Sequence, residues 1–106
     1  MSTVSETARK MAAVIVNATH PRRVILFGSR ARGDATEESD FDLMVVEDRP
    51  EDRLGEMVRL RRLLRGFHVP VDLLVVSESK YEYWRDTPGN VYHEAATDGV
   101  TLYEAA

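Results

Sequence analysis

The chain contains no cysteine, which excludes disulfides, thiolate metal sites and thiol nucleophiles. It has no apolar run approaching the roughly 20 residues that a membrane-spanning helix requires, and charged residues recur through its beginning. Membrane association is therefore not expected, and the cytoplasm is the expected location. Glycine and proline are sparse, six and four among 106 residues, so a collagen-like or low-complexity chain is excluded. A basic excess is missing too: 14 Lys and Arg stand against 18 Asp and Glu, a net charge of -4. Holding nucleic acid by bulk electrostatics is not the expected main role. What remains is a globular composition, 43% hydrophobic and 30% charged. A chain this short buries roughly 65% of its unfolded surface, and residues 1–106 read as a single domain.

Val4, Ala8, Met11, Ile15 and Ala18 draw one apolar stripe at helical spacing. That helix should stop near His20, because Pro21 disfavours helical geometry in the residue before it. Val24 to Phe27 reads as a short buried strand closed by Gly28-Ser29, and residues 28–39 as a loop or a single helical turn. Phe41 to Val46 is a second strand. Asp48 with Pro50 predicts the start of a helix whose apolar face holds Leu54, Met57, Val58, Leu60, Leu63 and Leu64, with Gly66 at its end. Val69 to Val76 is a third strand. Ser77 predicts a short helix through Trp84, and Thr87-Pro88 another running to about Thr97, with Val91, Tyr92 and Ala95 inward. Asp98-Gly99 then turns into an extended piece, Val100 to Tyr103. The expected fold is α/β (α+β): a small mixed β-sheet with helices packed on one face, and strands two and three parallel.

Two acids stand where acids are expensive. Phe41-Asp42-Leu43-Met44-Val45-Val46 and Val71-Asp72-Leu73-Leu74-Val75-Val76 are apolar runs that each admit one aspartate at the same place. Strand alternation puts Asp40 on the face of Asp42, about 6.6 Å along, if the strand geometry begins there. Were the two runs neighbours, Asp72 would lie about 4.8 Å away in the pairing direction. Three carboxylates so placed raise one another's pKa or demand a cation. Magnesium is a hard ion that takes carboxylate and phosphate oxygens. Two such ions about 3.5 to 4 Å apart clamp the attacking and leaving oxygens of a phosphoryl or nucleotidyl transfer. On this reading Asp40 and Asp42 hold both ions and Asp72 the ion that activates the attacking hydroxyl. The competing reading makes each acid a turn former or an exposed residue.

Gly28-Ser29 follows the first strand directly, where glycine lets the backbone approach a ligand and backbone N–H groups gather around an anion. Gly28-Ser29-Arg30-Ala31-Arg32-Gly33 matches neither the P-loop nor the GxGxxG spacing. Arg30 is the candidate for a phosphate, and Arg32 the candidate for locking the loop against a carboxylate; solvation of either is the alternative.

With Glu38-Ser39-Asp40-Phe41-Asp42-Leu43, this segment resembles the signature of the DNA polymerase beta-like nucleotidyltransferase superfamily. Within it the chain looks like the minimal nucleotidyltransferases, including antitoxins encoded beside HEPN-domain toxins. The likeness spans about residues 22–76 and extends to Pro88–Tyr103. It implies a mixed sheet carrying the acids on one side and helices on the other, two magnesium ions, and ATP as donor. Gly28 and Ser29 would hold the β- and γ-phosphates. Asp40 and Asp42 would coordinate both ions, and Asp72 the ion at the acceptor. The implied reaction is attack of a hydroxyl on the α-phosphorus with release of pyrophosphate. In the toxin–antitoxin members the acceptor is a tyrosine of the HEPN ribonuclease, silenced by adenylylation. Nothing in the sequence departs from the catalytic pattern.

A domain this small borrows an acceptor-binding surface from a partner, expected to be a HEPN toxin, or from its own dimer. Tyr81, Tyr83, Trp84, Tyr92 and Tyr103 are the candidates for docking, with Trp84 and Tyr92 better read as core. The arginines of 53–65 read as a solvated helix face rather than an RNA patch, and the three histidines lack metal-ligand spacing. A non-enzymatic antitoxin acting by occlusion, and transfer to RNA or a small molecule, are the alternative functions.

Overall fold

The computed structural model describes residues 5–106. The first helix, α1 (Glu6–Thr19), starts where Ser5 Oγ accepts the Ala8 N–H at 3.1 Å. Its buried stripe is Ala8, Met11, Ala12 and Ile15, as the spacing predicts; Val4 lies outside the described residues. His20 closes it in the left-handed conformation, φ 50°, returning its N–H to the Val16 carbonyl. Pro21 follows and could not have continued the helix.

Four strands form one mixed sheet in the order β3-β2-β1-β4. They are β1 (Arg23–Phe27), β2 (Phe41–Glu47), β3 (Val71–Ser77) and β4 (Val100–Glu104). β1 is antiparallel to both β2 and β4, while β2 and β3 are parallel. The single turn α2 (Ser29–Arg32) lies between β1 and β2. Between the parallel strands lie α3 (Arg53–Leu63) and a 3₁₀ turn, Leu64–Phe67. A parallel pair needs such a crossover, whereas an antiparallel pair does not.

Alternation divides the strand residues between two cores. Leu26, Leu43, Val45, Leu73 and Val75 pack with Met11 and Ile15 of α1 and Leu60 of α3. Ile25, Phe27, Met44, Val46 and Val76 face the other way, against Tyr81 of α4 (Glu78–Trp84) and Ala95 of α5 (Val91–Asp98). The mixed α/β sheet is as expected, but helices cover both faces and not one. Unbroken apolar runs such as Val24–Phe27 and Leu43–Val46 are apolar on both faces, and each face needs cover.

Three helix boundaries also differ from expectation. The N-cap of α3 is Asp52, whose carboxylate accepts the Gly55 N–H at 3.0 Å, and not Asp48. That of α5 is Asn90, which accepts the His93 N–H at 2.9 Å, and not Thr87. The turn after α3 runs past Gly66 and ends at His68 in the left-handed region, φ 57°. At α3 and α5 a second capping side chain lies four and three residues along the chain from the expected one, while His68 ends the 3₁₀ turn through its backbone N–H to the Arg65 carbonyl. Ser77 does cap α4, through the Lys80 N–H.

At the end of the sheet where β2 finishes, Thr19 Oγ1 meets Glu47 Oε2 at 2.8 Å and Glu56 Oε2 at 2.5 Å. One hydroxyl proton serves one carboxylate at a time. Burial, together with the neighbouring Glu56, pushes the Glu47 carboxyl above its ordinary value. Burial opposes the shift of Glu56, yet hydrogen bonds from Thr19 and Arg59 hold that group below its own. A carboxyl raised in the folded state costs stability as pH climbs past the unfolded pKa, about 4.3 for glutamate. Glu47→Gln keeps an acceptor for Thr19 and removes that cost. The variant should melt at a higher temperature than the parent at pH 8, with the gap closing below about pH 4, as followed by circular dichroism.

Candidate active site

β1 ends where β2 and β3 begin, so one end of the sheet gathers the turn after β1 and the first residues of two neighbouring strands. Asp42 and Asp72 are register partners in the parallel pair, followed by Leu43 with Leu73 and Val45 with Val75. The leucines and valines are buried against α1 and α3, which turns both aspartates to the α4–α5 side. Their backbones are separated by about 4.8 Å, the ordinary spacing of paired strands. Asp42 is half-buried, while Asp72 and Asp40 are exposed. Asp40 lies two residues before Asp42, just outside the strand.

Burial is the first cause that pushes the Asp42 carboxyl above its ordinary value, followed by repulsion from Asp72, Asp40 and Glu94; Arg32 opposes them. Asp72 has its own partner at the sheet edge, Arg61 of α3, at 3.7 Å. Three of these acids are the ones singled out in the sequence. Glu94 is not, and no spacing could have shown it: α5 reaches the site only through the packing of Ala95, Val91 and Tyr92 on the second core.

Gly28 sits against this pair. Its φ of 75° with ψ of −159° belongs to a region that is essentially glycine's alone. A Cβ built there would run into the Asp42 carboxylate. The glycine therefore makes the turn and leaves the space that the carboxylate occupies. Ser29, half-exposed, opens α2.

Arg30 does not turn to the acids. Its guanidinium donates to the Ser39 carbonyl from Nε at 3.1 Å and Nη2 at 2.9 Å, and lies over the Phe41 ring at 4.0 Å. It braces the segment that delivers Asp40, on the face of the sheet that carries Phe41, whereas the sequence reading proposed it as a phosphate ligand. Ser39 is further fixed through Thr36, whose N–H it accepts at 2.9 Å. Arg32 is the arginine on the acid side, paired with Asp34 at 3.5 Å and Glu94 at 3.4 Å. The two residues are about 200° apart around a helical turn, so they necessarily leave it in nearly opposite directions.

Residues 10–96 match the model of the nucleotidyltransferase domain. The chain belongs to that family. A Methanocaldococcus jannaschii protein named "putative protein adenylyltransferase" is 40% identical over 82 residues, covering 77% of this chain and 78% of the relative. Among solved structures, a nucleotidyltransferase-named protein of Sulfolobus solfataricus superposes with TM-score 0.64 at 24% identity, over 93% of this chain and 78% of that one. A toxin–antitoxin crystallised with AMP-PNP superposes with TM-score 0.64 at 19% identity, over 92% of this chain and 73% of that one.

The donor set of this nucleotidyltransferase domain is of the kind that suits a divalent ion: hard carboxylate oxygens, with the Asp42 carboxyl raised first by burial and then by its acidic neighbours. Among the described residues no three acids or histidines stand close enough together to hold a metal ion as they are placed, and the acids line an open end of the sheet.

Three outcomes follow. Gly28→Ala should destabilise the fold by about 1–3 kcal/mol from the backbone conformation alone and displace Asp42, a loss measurable by urea denaturation. Asp42→Asn removes a carboxylate whose folded pKa is raised, and whose charge therefore costs stability above its unfolded value of about 3.9. It should melt higher than the parent at pH 7 and converge with it below about pH 4. Added magnesium should raise the melting temperature of the parent and not of Asp42→Asn.

Proposed function

We propose that this nucleotidyltransferase is a magnesium-dependent protein adenylyltransferase that transfers AMP from ATP to a tyrosine of a partner toxin of the HEPN ribonuclease class, and so acts as its antitoxin. The observation that carries the reading is the in-register Asp42–Asp72 pair beside Gly28. The protein adenylyltransferase name of the Methanocaldococcus jannaschii relative supports the reaction class, and the toxin–antitoxin fold neighbour supports the partner.

In this reading Asp40 and Asp42 hold two magnesium ions, and Asp72 shares the one at the acceptor. When bound, the metal neutralises the triphosphate and lowers the pKa of the attacking hydroxyl. Gly28, with its backbone open to close approach, and the Ser29 hydroxyl take the β- and γ-phosphates. The acceptor oxygen forms a bond to the α-phosphorus as the bond to the β-phosphate oxygen breaks, and pyrophosphate leaves. In this reading Asp72, exposed at the strand end, would receive the hydroxyl proton, directly or through water. Arg30 contributes by holding the loop that presents Asp40.

The acceptor tyrosine must be brought by another molecule. Tyr83 is 73% exposed and Trp84 41% exposed, edge-on to one another at 4.8 Å. This corrects the expectation that Trp84 belongs to the core. Tyr81 is the aromatic of α4 that is buried, and Tyr92 is half-buried on the same core. An exposed aromatic pair is the kind of anchor that interfaces favour. A toxin partner is the occupant proposed here, with a second copy of the chain as the alternative.

Incubation with magnesium, labelled ATP and the toxin should label the toxin and release pyrophosphate. Asp40→Asn and Asp42→Asn should each lower the transfer rate about a thousandfold, the loss of about 4 kcal/mol of charge stabilisation. The exposed Tyr83–Trp84 pair also favours a second reading, neutralisation by occlusion alone. Cells carrying toxin and Asp42→Asn decide between them: toxicity returns if transfer is the antidote and stays suppressed if binding suffices.

A further inference from the structure

We propose that two copies of this chain associate through the outer face of α3, with the two helices antiparallel about a twofold axis near Val58. Charge along the helix points to this partner. Residues 47–56 hold five acids and two arginines, while residues 57–68 hold four arginines and no acid. The lead-in and first turn are therefore negative and the last turns positive. A second copy laid antiparallel answers both ends at once, with the same surface on both sides of the contact.

The middle of this face is apolar and uncovered. Sequence spacing places Leu54, Val58 and Leu63 on the apolar face of α3, but they are 68%, 47% and 47% exposed. A helix resting on one side of a sheet buries a single stripe, here Leu60 and Leu64 with Met57 at its margin. Leu54 and Val58, four residues apart, stand together on the outer side. Glu51, Leu54, Val58 and Arg61 follow at intervals of three, four and three, with Arg62 beside the last. That outer line reads acid, apolar, apolar, base.

A twofold axis pairs residues whose numbers have a constant sum. With Leu54 set against Val58 of the second copy, Glu51 falls against Arg61 of that copy, with Arg62 alongside. Each contact then occurs twice. Glu51 and Arg62 have no ion-pair partner among the described residues. Arg61 meets Asp72 at 3.7 Å with both side chains open to water, and such a contact holds little energy.

A protein suits this face better than a nucleic acid. Exposed aliphatic side chains gain nothing from a phosphate backbone, and residues 53–65 include no aromatic ring on which a base could stack. The contact is small, short of the roughly 800 Å² per partner of a standard interface. The dimer is accordingly a weak one, with a dissociation constant on the order of 100 µM.

Sedimentation velocity of the full chain, from about 10 µM to about 1 mM, tests this. The parent should pass from monomer to dimer over that range, and Val58→Asp should stay monomeric. Glu51→Arg and Arg62→Glu should each weaken association about tenfold or more, because each opposes like charges at two symmetric contacts. An equimolar mixture of those two variants should recover the association of the parent, since every charged contact then joins a base to an acid. All three positions are exposed, and unchanged thermal melting of the variants separates lost association from lost folding. A parent that remains monomeric at about 1 mM, association untouched by Val58→Asp, or a mixture no stronger than its components overturns the proposal.

Discussion

Two carboxylates side by side at the start of a parallel strand pair repel each other, and the rest of the molecule is arranged so that they cannot move apart. Asp42 and Asp72 head the near-identical stretches Asp-Leu-Met-Val-Val and Asp-Leu-Leu-Val-Val, which pair like with like. Burying Leu43, Val45, Leu73 and Val75 on the α1–α3 side fixes the register. A slip of one residue would turn every side chain of the strand to the wrong face. The apolar core thus holds in place an electrostatic arrangement that is unfavourable by itself. The raised Asp42 carboxyl is the trace of that conflict, with burial as its largest cause and Asp72 next.

Around this pair, the residues of the turn after β1 divide their work. Gly28 gives the space in which the Asp42 carboxylate lies. Arg30 reaches across to the Ser39 carbonyl and fixes the approach to Asp40. Arg32 faces the acids and answers part of their charge. One short turn therefore serves three acids through geometry, loop anchorage and electrostatics in succession. α5, on the side of the sheet that the aspartates face, brings Glu94 up to this open end. The far end of β2 is acidic in a different way, with Glu47 and Glu56 joined through Thr19. There the shared hydrogen bond ties α1, β2 and α3 together.

Among the described residues the acids of this nucleotidyltransferase domain lie at an edge of the sheet and not in a deep cleft. That is consistent with an acceptor delivered by a partner protein. The exposed Tyr83–Trp84 pair at the end of α4 offers apolar contact surface, while Tyr81 one turn earlier is spent on the core, with Arg23 and Arg85 over its ring.

The strands were legible in the sequence because their apolar runs are short, β-branched and bounded by turn residues, and the acids were legible because a carboxylate inside such a run has no cheap structural explanation. Gly28-Ser29 could be read for a related reason, since a glycine directly after a buried strand marks a close approach. Helix starts were less secure: Asp48 and Asp52, or Thr87 and Asn90, are equally good caps as residues, and tertiary packing chooses between them. The direction of a side chain was not legible at all. Arg30 and Arg32 are chemically the same and two positions apart, so their roles depend on which side of one turn faces the first core. Trp84 lies at the surface and Tyr81 in the core for the same reason. Glu94 stands far along the chain from the other acids. The sequence by itself determined which chemistry the chain carries, because residue type and strand period are local properties; the tertiary structure alone decided which charges meet, because burial and proximity arise only when separate segments pack.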